Sequence, residues 1–479
     1  MTDARGNLAK HVTIVGAGLS GLTAAYRLQR LAAHADVALD ITVLEAGRRA
    51  GGVIETVIAD GLTLERGPDS IITEKPWAME LCRELGMGDE MMPTRREPRG
   101  SFIVSRGRLC PVPDGLHLMA PARLGPFAAS PLMSWSGKMR ALCDLVIPAR
   151  RDDADESLAS FVRRRLGSEA LDRLAQPMVG GVYTADPEKL SLAATMPRFI
   201  EMERKYGSVI RGLMTARRQA GASAQGPRYD LFVAPKGGTE AIVSRLTSAL
   251  PHDAIRMNTP VVGLKRTDSG WEILLEGTSL QTDALCICTP AYVTGSIVSQ
   301  LDRALASELD TIEYASTTTV NLVYPRDAIA HPLDGFGFVV PAIEKRDILA
   351  CTFASVKYEG RAPHDKALMR AFVGGAMAPE KFAMDDRETL SAVKRELSEL
   401  IGVQREPEQT LITRHPRSMP QYHVGHMARV DRIESTVARH DCLELAGNAY
   451  RGTGIPDCVR SANEAATRLF SQLFNRAKS

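Results

Sequence analysis

Nowhere among the 479 residues do about 18 uncharged apolar residues run together, so the sequence holds no candidate membrane-spanning helix. The eight cysteines are scattered at 82, 110, 143, 286, 288, 351, 442 and 458, with no C-x-x-C pair and no H-x-x-H cluster, which argues against a metal site or a disulfide framework. An excess of one charge is lacking as well: 59 Lys and Arg against 57 Asp and Glu leave a net charge of +2, and no general electrostatic case for nucleic acid follows. Met1 to Asn7 is short and polar, with no apolar core of a signal peptide. Free thiols without an export signal predict the cytoplasm. What is present, 44% apolar and 24% charged residues, suits a soluble globular protein of two or three domains.

Within that frame the first motif stands near the start. The β-branched run Val12 to Val15 leads into Gly16-x-Gly18-x-x-Gly21 and then a helical pattern through Leu22, Ala25, Leu28 and Leu31. Gly16 permits a tight turn, Gly18 lets backbone amides approach a pyrophosphate, and Gly21 allows the helix to pack closely on the strand. Ser20 lies in the same turn. A second strand, Asp40 to Leu44, ends in Glu45, at the distance where a carboxylate meets the adenosine ribose. Glu45, Arg49, Gly51 and Gly52 form E-x-x-x-R-x-G-G, in which bare backbone can lie against a diphosphate while the guanidinium neutralises it. The extension points to FAD rather than NAD.

Farther along, a helix is expected from Pro76 to a stop at Gly86, and a hairpin around Arg106-Gly107. Residues 111–205 read as an inserted helical subdomain. Arg163, Arg164 and Arg165 within it are expected to form one solvated helix face rather than a basic patch. Met119, Leu124, Phe127, Leu132, Met133 and Trp135 are expected in core or cavity wall rather than on lipid. The polar stretch 211–230 predicts a mobile loop. Strands at 259–264, 271–275 and 284–288 are assigned to the second half of the dinucleotide-binding sheet, and Cys286 and Cys288 to alternate positions of a buried strand rather than a redox pair. From 300 to 430, strand-like runs at 317–324 and 371–375 alternate with helices, as in a sheet forming a ligand floor. The strand 441–447 and a helix over 457–473 close the chain, the helix N-terminus facing whatever lies at Gly454 to Pro456. The fold class is therefore α/β and α+β. A discontinuous Rossmann-like FAD-binding domain (8–75, 231–295, 436–479) is joined to the helical subdomain (111–205) and a strand-rich substrate domain (76–110, 206–230, 296–435).

Four further blocks carry a resemblance: Glu65 to Ser70 with Lys75 to Ala78, Gly181 to Pro187, Thr352 to Pro363, and Gly454 to Cys458. Together they resemble, end to end, the FAD-dependent porphyrinogen oxidases of haem biosynthesis, whereas the glycine motifs are shared with amine oxidases and phytoene desaturases. The resemblance implies oxidation of protoporphyrinogen IX or coproporphyrinogen III by six electrons, passed to oxygen as hydrogen peroxide. It implies FAD contacts at Gly16, Gly18, Ser20, Gly21, Glu45, Arg49, Gly51 and Gly52, and at Gly67, Pro68, Asp69 and Ser70. It also places the backbone of Val261 at the adenine, and Asn448, Thr453, Gly454 and Ile455 at the isoalloxazine. Gly181 would line the substrate cavity, and Lys75 and Arg99 are candidate partners for propionate carboxylates. No catalytic side chain is named, because hydride loss from a methylene bridge between two pyrroles leaves a stabilised cation. Peripheral membrane contact, a homodimer and a transient contact with the next haem-pathway enzyme remain open to such a protein.

One departure matters. Protoporphyrinogen oxidases of plant and animal type carry an arginine directly before the strand that begins here at Phe102, whereas this chain has Ser101 there and its arginine at Arg99. The difference leans toward bacterial coproporphyrinogen-type enzymes, whose pocket accepts four propionates. The competing enzyme reading is an amine oxidase or carotenoid desaturase on the same fold. A second alternative is a flavin-binding redox sensor without catalysis.

Overall fold

The computed structural model describes residues 9–97, 100–219 and 231–475. Its first layer is a five-stranded parallel sheet in the order Ile255–Arg256, Leu39–Leu44, Lys10–Val15, Ala284–Ile287 and Leu443–Leu445. Val12 stands between Ile41 and Ala284. Alternation along these strands divides them between two cores. Val12, Ile14, Val43 and Cys286 pack with the helices Leu19–Ala35 and Ile455–Asn475, while Val15, Leu44, Leu285 and Ile287 face a second cluster containing Trp271, Leu305 and Val430.

Two of the strands assigned to this sheet lie elsewhere. Val261–Thr267, Gly270–Leu275 and Thr278–Thr282 form a separate antiparallel sheet. Thr267 pairs with Gly270 and Leu275 with Thr278, so each link is a tight hairpin. A parallel neighbour would need a crossover of about a dozen residues.

A seven-stranded sheet runs Gln409–Pro420, Tyr314–Pro325, Lys366–Gly374, Ala350–Phe353, Gly337–Val339, Phe102–Ser105, Arg108–Pro111. Its Val320, Met369 and Ala371 pack under Val393, Leu397 and Ile401 of the helix Asp386–Ile401. The opposite face grips the backbone of the 65–67 turn. Asn321 Nδ2 donates to Glu65 O at 3.0 Å, Thr319 Oγ1 to Arg66 O at 3.1 Å, and Arg370 to Gly67 O. His415 Nε2 lies 2.8 Å from Arg66 O.

The helical region includes Leu124–Ala129, Trp135–Leu142, Leu158–Arg165, Gln176–Tyr183, Pro197–Tyr206 and Val209–Gln219, around Phe127, Phe161, Leu174, Phe199 and Ile210. Helix, not loop, therefore occupies 211–219: Val209, Ile210 and Leu213 recur at helical spacing in the core, and Arg217 and Arg218 complement the helix C-terminus. Residues 220–230 lie outside the described residues. Met119, Phe127, Leu132 and Met133 are buried and Leu124 half-buried, but Trp135 is 69% exposed.

The arginine triplet is not a solvated face either. Arg165 and Asp144 are both fully buried, with Arg165 Nε donating to Asp144 Oδ1 at 2.5 Å. Arg164 pairs with Glu156 and Glu203, and Arg163 with Glu188. The helix carrying them is covered on more than one side, and a buried guanidinium persists only when paired and hydrogen-bonded. Among the described residues no helix is long and apolar enough to cross a membrane.

Candidate functional site

Two glycine turns meet at the ends of the first two strands. Gly16 adopts φ +99°, and a Cβ on Gly21 would lie 1.8 Å from Gly16 O, so the helix Leu19–Ala35 sits directly on the preceding turn. Gly51 N donates to Ala17 O at 2.8 Å, and Gly18 and Gly51 form a parallel bridge. A Cβ on Gly18 would meet nothing within 4 Å. Gly18 caps that helix without a side chain, and the first-turn amides, at Leu19, Ser20 and Gly21, are the ones a helix leaves without intrahelical partners. Glu45 stands between the turns, its two carboxylate oxygens accepting from Ala17 N and Gly47 N at 2.8 Å each. Thr259 N donates to Glu45 O at 2.8 Å, which brings the strand at Val261 beside it.

Arg49 is tied to its own turn: its part-exposed guanidinium donates to Ala50 O and Ile54 O at 2.9 Å each and to Gly52 O, with Glu55 at 3.3 Å. It braces the second turn, because the carbonyls of so tight a loop lack ladder partners.

At the turn 65–70 a Cβ on Gly67 would lie 1.9 Å from Val53 O. Ser70 Oγ donates to Asp69 Oδ1 at 2.7 Å and accepts from Lys357 Nζ at 2.7 Å and Tyr358 OH at 2.9 Å. A hydroxyl has one donor and two lone pairs, so all three of this one's hydrogen-bonding positions are taken within the protein. Burial alone would raise the Asp69 carboxyl; Lys357 at 3.1 Å and Arg370 at 3.8 Å override it and hold the group well below the usual carboxylate range. Glu65, one turn back, is shifted the other way. Its burial outweighs hydrogen bonds from Thr56 Oγ1 at 2.7 Å and Thr239 N at 2.8 Å, with Arg361 at 3.9 Å. Lys357, Tyr358 and Arg361 lie in the Thr352–Pro363 block, yet no sequence signal gave them this role. Arg370 lies outside every motif.

The third component follows the strand Leu443–Leu445. Asn448, Thr453, Gly454 and Ile455 lie on one loop running into the helix Ile455–Asn475. Gly452 adopts φ +137°, and a Cβ there would lie 2.3 Å from Asp457 Cγ, so only glycine fits. Asp457 is nearly buried and accepts from Lys75 Nζ at 2.6 Å. The expected propionate partner thus already holds a carboxylate of the chain. Tyr183 stands near Asp457, and its hydroxyl is pushed up to about 12 by burial and then by that charge. Gly181, on the same helix as Tyr183, is exposed, with Val339 Cγ1 3.3 Å from where its Cβ would be. Arg99 lies outside the described residues.

The thiols beside the first turn are not poised for chemistry. Cys286 Sγ and Cys288 Sγ are 3.6 Å apart, and Cys288 and burial together push Cys286 well up. Burial lifts Cys458 to about 12. Cys286 and Cys458 therefore stay protonated near neutrality.

A dinucleotide fits this cradle. The space beside Gly18 is open, the carboxylate at Glu45 ends the second strand, and a second helix N-terminus stands at Ile455 on the same face of the sheet. The fold and its turns define a flavin-dependent oxidoreductase of the two-dinucleotide-turn type. The family model of flavin containing amine oxidoreductases matches residues 19–470. A coproporphyrinogen III oxidase of Bacillus subtilis (strain 168) is 32% identical, over 97% of this chain and 99% of its own. A chloroplastic protoporphyrinogen oxidase of Nicotiana tabacum is 29% identical over 95% of this chain and 84% of its own. Among solved structures, a chain from Exiguobacterium sp. 255-15 assigned as a protoporphyrinogen oxidase superposes with a TM-score of 0.84 at 31% identity, over 97% of this chain and 99% of that one. The chain belongs to the flavin-containing amine oxidoreductase family, in the group formed by the porphyrinogen oxidases. Its cofactor is FAD.

Proposed function

We propose that this protein oxidises a porphyrinogen to the porphyrin in haem biosynthesis, with coproporphyrinogen III as the preferred substrate and molecular oxygen as the acceptor. The observation that carries the reading is the meeting of three distant segments: the Gly16–Gly21 turn, the 65–70 turn tied to Lys357, and the 447–457 loop with Asp457 on Lys75. Segments 8–75, 231–295 and 436–479 hold the cofactor, 111–205 together with the helix Val209–Gln219 forms the helical subdomain, and 76–110 and 296–435 receive the substrate.

Bound there, FAD would supply the acceptor for hydride from the macrocycle, with molecular oxygen as the final acceptor and hydrogen peroxide as the by-product. The chain's own residues position and enclose. Gly16, Gly18, Ser20, Gly21, Gly51 and Gly52 present backbone to the diphosphate, and Glu45 and Val261 flank the adenosine. The Gly67, Pro68, Asp69 and Ser70 backbone and the Asn448, Thr453, Gly454 and Ile455 loop border the ring. Gly181 leaves room for a flat ligand. Lys75 turns from Asp457 toward a propionate, with Arg99 as a second cation.

Peripheral membrane contact belongs to the same proposal. Trp135 and Met139, four apart on one helix, stand 69% and 62% exposed, with Val146 beyond them at 78%. Co-sedimentation with anionic vesicles tests that part, and a protein left wholly in the supernatant would remove it. The main test compares initial rates of porphyrin fluorescence gain from coproporphyrinogen III and protoporphyrinogen IX under air. Faster oxidation of coproporphyrinogen III is expected, and no gain with either substrate would end the proposal.

A further inference from the structure

Tyr422 and His426 belong to no motif, yet both are essentially buried and their rings stack 3.8 Å apart at 13°. Every polar contact this pair makes on its ring side goes to one short stretch of backbone. Tyr422 OH donates to Asn448 O at 2.6 Å and accepts from Gly452 N at 2.8 Å, so a single hydroxyl joins the two ends of the loop 448–452. His426 Nε2 lies 2.8 Å from Tyr450 O, in the middle of the same loop. A carbonyl can only accept, so Nε2 carries the proton, and Nδ1 is buried without a hydrogen-bond partner among the described residues. Burial keeps this imidazole neutral, its pKa lowered to about 4.

The backbone of the same segment is tied on its other side to the helical region. Ser191 N donates to Tyr422 O at 2.7 Å, Val424 N to Lys189 O at 2.9 Å, and Gly425 N to Asp155 Oδ2 at 2.9 Å. Asp155 Oδ2 also accepts from Ser191 Oγ at 2.7 Å. Residues 421–426 are therefore a strut with one end in the helical region and the other holding a loop of otherwise irregular backbone.

We propose that Tyr422, backed by His426, is a positioning residue that fixes the 448–452 loop, and through it the start of the helix Ile455–Asn475, against the ring edge of the flavin. This rests on the reading that the loop meets the isoalloxazine. Irregular backbone has no ladder to hold it, and two hydrogen bonds to one rigid phenol, stiffened by a stacked ring, replace that ladder. Tyr422 is buried and both hydrogen bonds of its hydroxyl go to this loop, so its loss should alter the cofactor's surroundings and turnover more than substrate affinity.

The test uses Tyr422→Phe in the full-length holoenzyme, with Tyr324→Phe as control. Tyr324 is fully buried and its hydroxyl has no partner among the described residues, so that change removes an equally buried hydroxyl without breaking a bond. For Tyr422→Phe we expect a shifted and less structured flavin absorbance band. FAD dissociation should rise about tenfold, as for the loss of two neutral hydrogen bonds. The value of kcat should fall with KM nearly unchanged, and Tyr324→Phe should match wild type in all three. Should Tyr422→Phe not fold, His426→Gln, which keeps a donor for Tyr450 O but no stacked ring, is expected to shift the same band in the same direction. A flavin spectrum, FAD affinity and kcat equal to wild type in the folded variant overturn the proposal. A colourless wild-type protein that takes up no FAD would instead overturn the cofactor reading beneath it.

Discussion

Lys75 Nζ and Asp457 Oδ2 lie 2.6 Å apart although 382 residues separate them in sequence. The pair joins the segment after the 65–70 turn to the first turn of the helix Ile455–Asn475, so the cation proposed to turn toward a propionate is paired with a carboxylate of that helix. Lys75→Met should raise KM for coproporphyrinogen III more than it lowers kcat. Its stability cost should be only about 1 kcal/mol, because the lysine is substantially exposed and screened. Steady-state kinetics with a urea titration measures both, and a change in kcat alone would place Lys75 outside the propionate site.

Lys357→Met should act through Asp69. Lys357 is the nearer of the two cations that hold this carboxylate ionised; with it gone Arg370 at 3.8 Å remains, and breaking so largely buried a pair costs about 3 kcal/mol. The sign follows from linkage. The folded-state value lies below the unfolded one, so the stabilisation is fully present above the unfolded pKa and is lost as pH falls through the folded value. The variant should therefore unfold at a higher pH than wild type on acid titration followed by circular dichroism. Superimposable acid curves would show that Asp69 does not depend on Lys357.

The three adjacent arginines should differ sharply in cost. Arg165→Met strands Asp144, which among the described residues would keep only Ser208 Oγ and Ile210 N as donors to its carboxylate, and should cost about 3 to 5 kcal/mol. Arg163→Ala breaks a pair exposed on both sides and should cost no more than about 0.5 kcal/mol. Equal denaturation midpoints for the two variants would restore the solvated face that the sequence pattern suggests.

What could be read from the sequence was what the local backbone imposes. The glycine spacing, the carboxylate at the end of the second strand and the hairpin at Arg106-Gly107 each constrain only a few consecutive residues, and both hairpin residues do adopt positive φ. What depended on distant partners was not legible. Whether Arg165 is solvated is decided by Asp144 and Glu203, and whether the Ser70 hydroxyl is free is decided by Lys357 and Tyr358. The strands at 261–275 were identifiable as strands, but period-2 patterning does not say to which sheet a strand belongs. The two-residue links 268–269 and 276–277 carry that information, because they are long enough for a hairpin and too short for a crossover. Tyr422 left no local trace at all, since one aromatic before a histidine gains its meaning only where the 448–452 loop comes back past it.

Gly18 and Gly21 offer the cleanest separation of folding from cofactor binding, because the same added methyl meets different obstacles. At Gly21 it would lie 1.8 Å from Gly16 O, a backbone atom that cannot step aside, so Gly21→Ala must push the helix off the strand and is expected to yield little folded protein. At Gly18 the backbone, with φ −69° and ψ 177°, suits any residue, and a Cβ meets nothing within 4 Å. Gly18→Ala should therefore fold with an apoprotein melting temperature close to wild type. Its methyl would occupy the space where the diphosphate approaches the amides, and the FAD dissociation constant should rise by at least about tenfold, as when the charge-assisted hydrogen bonds at a helix N-terminus are lost. Apoprotein melting and fluorescence titration with FAD measure the two effects separately. A Gly18→Ala protein that binds FAD as tightly as wild type would move the diphosphate away from this turn.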